Sequence, residues 1–208
     1  MASQSETAYS KLRESILTAG VLPGAHLAEV ECGKRYDLSR FAIREGLKRL
    51  HGEGLVIKEG NKYRVSTLNA DEIRQISHLR AILEAGAIRF LTKPLSAKSL
   101  KEIRRAADDY ASLVKKEYFA GAREADLRFH RLIVACAENP RLSRVYEASN
   151  LPLLQVTVGT NSVSLNDFDL AVREHEKICD ALERNDFEHA AKALEKHLKR
   201  GEREVLGQ

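Results

Sequence analysis

At 208 residues, 43% hydrophobic and 31% charged, the chain holds enough apolar material for one large domain or two small ones and reads as a globular protein. Cys32, Cys136 and Cys179 are odd in number, widely spaced and free of CxxC pairing, so neither a disulfide framework nor a thiolate zinc site is implied, and a reducing compartment is the natural reading. Met1 to Thr7 is polar and no stretch approaches the ~18 apolar residues of a membrane span, so a cytoplasmic protein with no membrane partner is expected.

The net charge of +4 is unevenly placed: residues 1 to 70 hold 11 Lys+Arg against 8 Asp+Glu, and the rest hold 23 against 22. Lys34 to Arg49 alone carries six basic and two acidic residues, a local footprint of the kind phosphate contacts require. In chain order, Tyr9, Leu12, Ile16 and Leu17 predict an amphipathic helix ending at Gly20, and Leu22-Pro23-Gly24 turns the chain. A short helix over roughly Ala28 to Arg35 leads through Asp37-Leu38 into a third, capped by Ser39, that buries Ile43, Leu47 and Leu50. Its outer stripe is Arg40, Phe41, Arg44 and Lys48. An exposed aromatic among three cations suits a helix in the DNA major groove, where Arg forks onto guanine and an apolar group meets the thymine methyl. Leu55 to Ile57 and Tyr63 to Val65 predict a two-stranded wing turning near Gly60-Asn61, so residues 1–67 read as a winged helix-turn-helix. The expected DNA contacts are Arg35, Ser39, Arg40, Phe41, Arg44 and Lys48, with Gly60 and Lys62 on the wing.

Residues 68–208 read as an antiparallel all-α bundle, which makes the fold mainly α. Asn69 caps a long helix to Leu91, Ser96 caps another to about Phe119, and a third spans roughly Arg123 to Ala137. Arg141 to Gly159 is helical in pattern but carries Pro152, so a kink is expected. Leu165 to Arg184 and Phe187 to Val205 are joined by Asn185-Asp186 alone, which forces an antiparallel pair. The stripe Ile82, Ala85, Ile88 and Leu91 serves either as core or as a dimer interface.

A second chemistry lies inside the bundle. Asp126 and His130 share an inward face with Val134 and Ala137, His175 is centred in the stripe Phe168, Ala171, Val172, Ile178, Cys179 and Leu182, and His197 aligns with Ala190, Ala193 and Leu194. His175 and His197 are similarly distant from the Asn185-Asp186 turn, so they stand at similar height. A single histidine on an apolar face is more often a hydrogen-bonded core residue than a ligand, and His26, His51, His78 and His189 take that reading. Three inward imidazoles with an inward carboxylate would each need a buried partner, and one divalent cation serves all four. Zn, Ni, Mn or Fe suit such a set.

The string Tyr9...Leu12-Arg13...Ile16-Leu17...Gly20...Leu22-Pro23-Gly24...Leu27...Glu29, then Leu38-Ser39-Arg40...Ile43-Arg44-Glu45...Leu47...Arg49-Leu50...Glu53-Gly54-Leu55-Val56, resembles the DNA-binding domain of GntR-type bacterial transcription regulators. Ala42, Gly46, Val30 and Phe41 depart from the usual Pro, Ala, basic residue and Thr, and the wing looks one residue short; these departures bear on the operator sequence and not on the fold. Asp126-Leu127-Arg128-Phe129-His130, Asn139-Pro140-Arg141-Leu142, Glu174-His175 and His197-Leu198, with Arg80 and Leu83-Glu84, resemble the FCD effector domain, and a count of about six helices suggests its VanR-like subgroup. The resemblance implies metal ligation by Asp126, His130, His175 and His197 and a small carboxylate effector at the metal. It also implies effector contacts at Arg80 and Asn139, operator DNA as partner and a homodimer. For Arg80, a salt-bridged helix arginine is an equally good reading. The expected protein is thus an effector-responsive repressor-type regulator and not an enzyme. The rival is a metalloenzyme activating water at the same cluster, for which no general base, phosphate loop or Ser-His-Asp pattern is evident.

Overall fold

A computed structural model describes residues 3–17, 20–149 and 165–207. The chain divides into two compact units, one ending at Leu68 and the other beginning at Asn69. No helix among the described residues is long and apolar enough to cross a membrane.

The first unit runs α1 (Gln4–Leu17), β1 (His26–Leu27), α2 (Glu29–Tyr36), α3 (Arg40–Gly52), β2 (Val56–Glu59) and β3 (Lys62–Val65). Asp37 adopts the left-handed conformation (φ 55°) and its N–H closes α2 on Gly33 O, giving the tight turn between the two helices. Ser39 caps α3 by accepting from Ala42 N at 3.2 Å. Leu12 and Ile16 of α1, Ile43, Leu47 and Leu50 of α3, and Leu55, Val56, Tyr63 and Val65 around the hairpin form one buried core. Gly46 sits where the two helices cross, since a Cβ there would lie 3.0 Å from Tyr9 N. The sheet has three strands in the order β1-β3-β2, with the β2-β3 hairpin turning at Gly60 (φ 59°). Two strands were expected; β1, paired His26 to Arg64 and Leu27 to Tyr63, is too short to show alternation in sequence.

The second unit begins at α4 (Ala70–Arg80), where Asn69 and Glu72 form a reciprocal capping box. The expected long helix changes pitch: α4 passes into a π-helical turn, Ala81–Ala85, and then into α5 (Gly86–Arg89). The wider turn carries Ile82 outward to 69% exposure while Ala85 and Ile88 stay fully buried, which divides the apolar stripe that the sequence presents as one. α6 (Ala97–Lys115) is capped by Ser96 and ends before Glu117 (φ 55°), so α7 (Phe119–Ala135) starts earlier than expected. α8 (Pro140–Ala148) has Asn139 as its cap. The expected continuation of that helix through a Pro152 kink lies outside the described residues. α9 (Leu165–Glu183) and α10 (Phe187–Leu206) form the antiparallel pair, turning through Asn185 (φ 58°). Ala85, Ile88, Ile103, Phe129, Ile133, Ile178, Leu182 and Leu194 fill the space between α5, α6, α7, α9 and α10.

Candidate metal centre and nucleic-acid interface

Helical periodicity places Asp126 and His130 one turn apart on α7, and the α9-α10 turn brings His175 level with His197. One ligand atom from each of these four residues lies within 4.8 Å of every other. His130 and His175 have no exposure and His197 has 7%. His175 Nε2 is 3.3 Å and His130 Nε2 3.5 Å from Asp126 Oδ1, and the Nε2 atoms of His130 and His197 are 3.3 Å apart.

Two carboxylates outside the cluster orient these rings. His130 Nδ1–H donates to Glu84 Oε2 at 2.6 Å, and His197 Nδ1–H donates to Glu174 Oε2 at 2.8 Å. Burial pushes Glu84 up, but the Arg80 guanidinium and His130 outweigh it and hold the carboxyl at about 2. Glu174 is likewise held at about 2, its burial outweighed by His197 and Arg200. Both are therefore acceptors for Nδ1–H, which turns the Nε2 atoms of His130 and His197 toward each other. Such a pair needs a cation or a shared proton between them. His175 packs on Phe129, ring centroids 4.2 Å apart, with Tyr110 at 4.9 Å; its Nδ1 has no hydrogen bond, and its Nε2 faces Asp126 Oδ1 at 3.3 Å. A fully buried imidazole so poorly satisfied is costly, and a cation at the shared centre lowers that cost. Ligand atoms around one first-row ion at ~2.0–2.2 Å stand about 3–4.4 Å apart, so the donor set fits after slight contraction.

These shifts set the acid response of the cation-free protein. Burial lowers His197 to about 4 and lowers His175, so both stay neutral when folded while an unfolded imidazole takes up a proton below ~6.5. That term favours unfolding as pH falls from about 6.5 toward 4. Asp126, Glu84 and Glu174, all lowered, contribute stability above the ordinary carboxylate range that is lost on acidification. His130 opposes them: burial lowers it but Glu84 and Asp126 raise it, so its contribution is present below ~6.5 and is lost as pH rises through its folded value. The sum predicts a urea midpoint, measured with chelator present, that falls steadily from about pH 7 to about pH 4. A midpoint that rises over that span contradicts the assigned protonation states.

Arg80 does not stand open for a ligand carboxylate through its Nε, which donates to Glu84 Oε1 at 2.8 Å; Tyr146 OH donates to the same oxygen at 2.8 Å. Asn139 is exposed, and its carboxamide oxygen accepts from Arg141 N and Leu142 N as the α8 cap. Glu84 and Glu174 carry the ring orientation, and neither role was anticipated. The signals were the Arg80/Glu84 spacing of four and the position of Glu174 beside His175.

On the first unit, Arg40, Phe41, Arg44 and Lys48 lie exposed along one side of α3, Phe41 at 69%. Arg40, Arg44 and Lys48 line a cleft of about 780 Å³ together with Glu29 of α2 and Lys58 and Lys62 of the hairpin. Gly60 is at the hairpin tip, Ser39 is engaged as the α3 cap, and Arg35 reaches Gly20 O at 3.4 Å. Sequence reasoning missed Glu29, which receives two hydrogen bonds from Arg44.

Against known families, residues 75–200 match the FCD domain and residues 4–62 match bacterial regulatory proteins of the gntR family. A "Probable D-xylose utilization operon transcriptional repressor" of Paenarthrobacter nicotinovorans is 30% identical over 203 residues, spanning 92% of this chain and 86% of that one. A solved protein classed as a GntR transcriptional regulator from Rhodococcus sp. RHA1 superposes with a TM-score of 0.82 over 99% of both chains at 21% identity. A solved metal-free FCD domain of a transcriptional regulator covers 68% of this chain and 96% of its own, with a TM-score of 0.56 and 22% identity.

Proposed function

We propose that this chain, which belongs to the gntR family of bacterial regulatory proteins and carries an FCD domain, binds operator DNA under the control of a small organic acid. It is a transcription regulator of that family and not an enzyme. The acid would reach a divalent cation held by Asp126, His130, His175 and His197. The observation that carries the reading is the buried cluster itself, with four donor atoms within 4.8 Å of one another. A bound cation supplies positive charge and open coordination positions that a carboxylate oxygen can take. The chain's residues orient the rings, exclude bulk water and hold His175 and His197 neutral. Arg40, Phe41, Arg44 and Lys48 enter the major groove, Lys58 and Lys62 reach the backbone, and a two-fold dimer matches two half-sites one helical turn apart. The acid acts as a switch only if it binds the DNA-competent and incompetent arrangements unequally.

The test joins metal analysis of the purified protein, a thermal-shift screen of small carboxylates and gel shifts on pseudo-palindromic DNA. Carboxylates are expected to raise the melting temperature in cation-loaded protein only, and the same acid should change operator affinity. Arg44→Ala should cost operator binding about 1–3 kcal/mol and relax preference at one base of each half-site. If Arg40→Ala and Arg44→Ala leave affinity and preference untouched, α3 is not the reading helix. If chelated protein binds the acid equally well, the acid does not use the cluster.

A further inference from the structure

The first residue of α2 faces the reading side of α3. Arg44 Nε donates to Glu29 Oε1 at 2.8 Å and Arg44 Nη2 donates to Glu29 Oε2 at 2.7 Å, while Arg40 Nη2 stands 3.7 Å from the same Glu29 oxygen. Glu29 is the less exposed member, its side chain at 18% against 48% for Arg44. We infer that Glu29 is a specificity-determining residue: it fixes Arg44 as a guanine-reading fork without touching a base itself. The inference rests on the DNA-reading role of α3 proposed above.

A guanidinium has five N–H groups in a rigid plane. Glu29 takes the Nε–H and one Nη2–H, which lie along the side edge of that plane. The end edge keeps the Nη1 and remaining Nη2 hydrogens, and this is the edge whose spacing matches guanine O6 and N7. The pairing therefore leaves base reading open while removing the rotational freedom that a long arginine otherwise surrenders on binding. A fixed fork rejects a wrong base better than a mobile one, which can swing to a phosphate. The carboxylate also repels phosphates, so it lowers sequence-independent attraction to the duplex.

The experiment uses the full-length protein on a site selected from a randomised operator library, and on the same site with its Arg44-dependent guanine replaced. Wild type is expected to prefer the guanine by about tenfold to hundredfold. Glu29→Gln keeps the shape but loses the bidentate acceptor. Its preference should fall to within a few-fold, while binding to the replaced site stays equal or tightens. Arg44→Lys, which keeps charge without a fork, should lose the preference in the same way. A Glu29→Gln protein that keeps the full guanine preference overturns the inference. So does one that binds both sites tighter by an equal factor, since Glu29 would then act as a phosphate repellent only. An equal weakening on both sites with a lowered melting temperature overturns it too, because that is the signature of a damaged fold. A wild-type protein with no preferred site overturns the DNA-reading role of α3 and this inference with it, whereas failure of Glu29→Gln alone leaves that role standing.

Discussion

His175→Leu is expected to leave the melting temperature of the cation-free protein unchanged or raise it by about 2–10 °C, while abolishing the stabilisation that a divalent cation gives the wild type. The reason is that Nδ1 of this fully buried residue has no hydrogen bond and Nε2 has a 3.3 Å contact with Asp126 Oδ1. An unsatisfied buried ring nitrogen costs about 1–3 kcal/mol; an apolar side chain of similar size against Phe129 and Tyr110 removes that cost, and the lost contact with Asp126 offsets part of the gain. The same substitution deletes one donor of the cluster. Wild type at a cation concentration a hundredfold above Kd should gain about 2.7 kcal/mol, roughly 5–11 °C for a chain of this size, reversed by chelator. Calorimetry of both proteins with Zn, Ni or Mn and with chelator decides it. A variant that keeps the full cation shift sinks the ligand assignment, and a cation-free variant that melts well below wild type means that the contact with Asp126 outweighs the unsatisfied Nδ1.

That opposition between stability and binding explains why the cluster could be recognised from sequence at all. Inward polar residues on otherwise apolar helix faces, Asp126 and His130 one turn apart and His175 and His197 flanking a short turn, violate the local rule that helix faces toward a core are apolar. The violation is visible in one dimension because helix period and turn length fix height and direction. The exposed stripe of α3 was legible for the same reason, since Arg40, Phe41, Arg44 and Lys48 follow one face of one helix. What was not legible depends on contacts between elements or on a change of pitch. Glu29 meets Arg44 across two helices, and Glu174 meets His197 across the α9-α10 pair. The π-helical turn at Ala81–Ala85 inserts extra backbone per turn, so a 3.6-residue period misplaces Ile82 and hides that Glu84 points into the core. Arg80 Nε pairs with Glu84 one turn on, as its spacing allowed.

Glu84→Ala is expected to be the most damaging single change at this site, costing about 3–5 kcal/mol. In a chain of this length that corresponds to a loss of about 6–20 °C. One carboxylate with no exposed surface accepts from Arg80, Tyr146 and His130. Removing it strands a guanidinium charge, a hydroxyl and an imidazole N–H together, and an uncompensated buried charge is the expensive part. Tyr146→Phe, which leaves Glu84 its other two partners, should cost only about 1 kcal/mol. The informative variant is Arg80→Met with Glu84→Met. Replacing both charges by apolar groups of similar length should restore most of the stability lost by Glu84→Ala. It leaves His130 Nδ1 without its acceptor, so cation affinity should stay about 10–100-fold below wild type. Measured together by denaturant titration and competitive cation binding, recovery of stability without recovery of affinity assigns Glu84 two separable tasks, balancing Arg80 and holding His130 in the ligating tautomer. Recovery of both assigns it the first task alone, and the orientation of His130 must then come from its packing against Phe129.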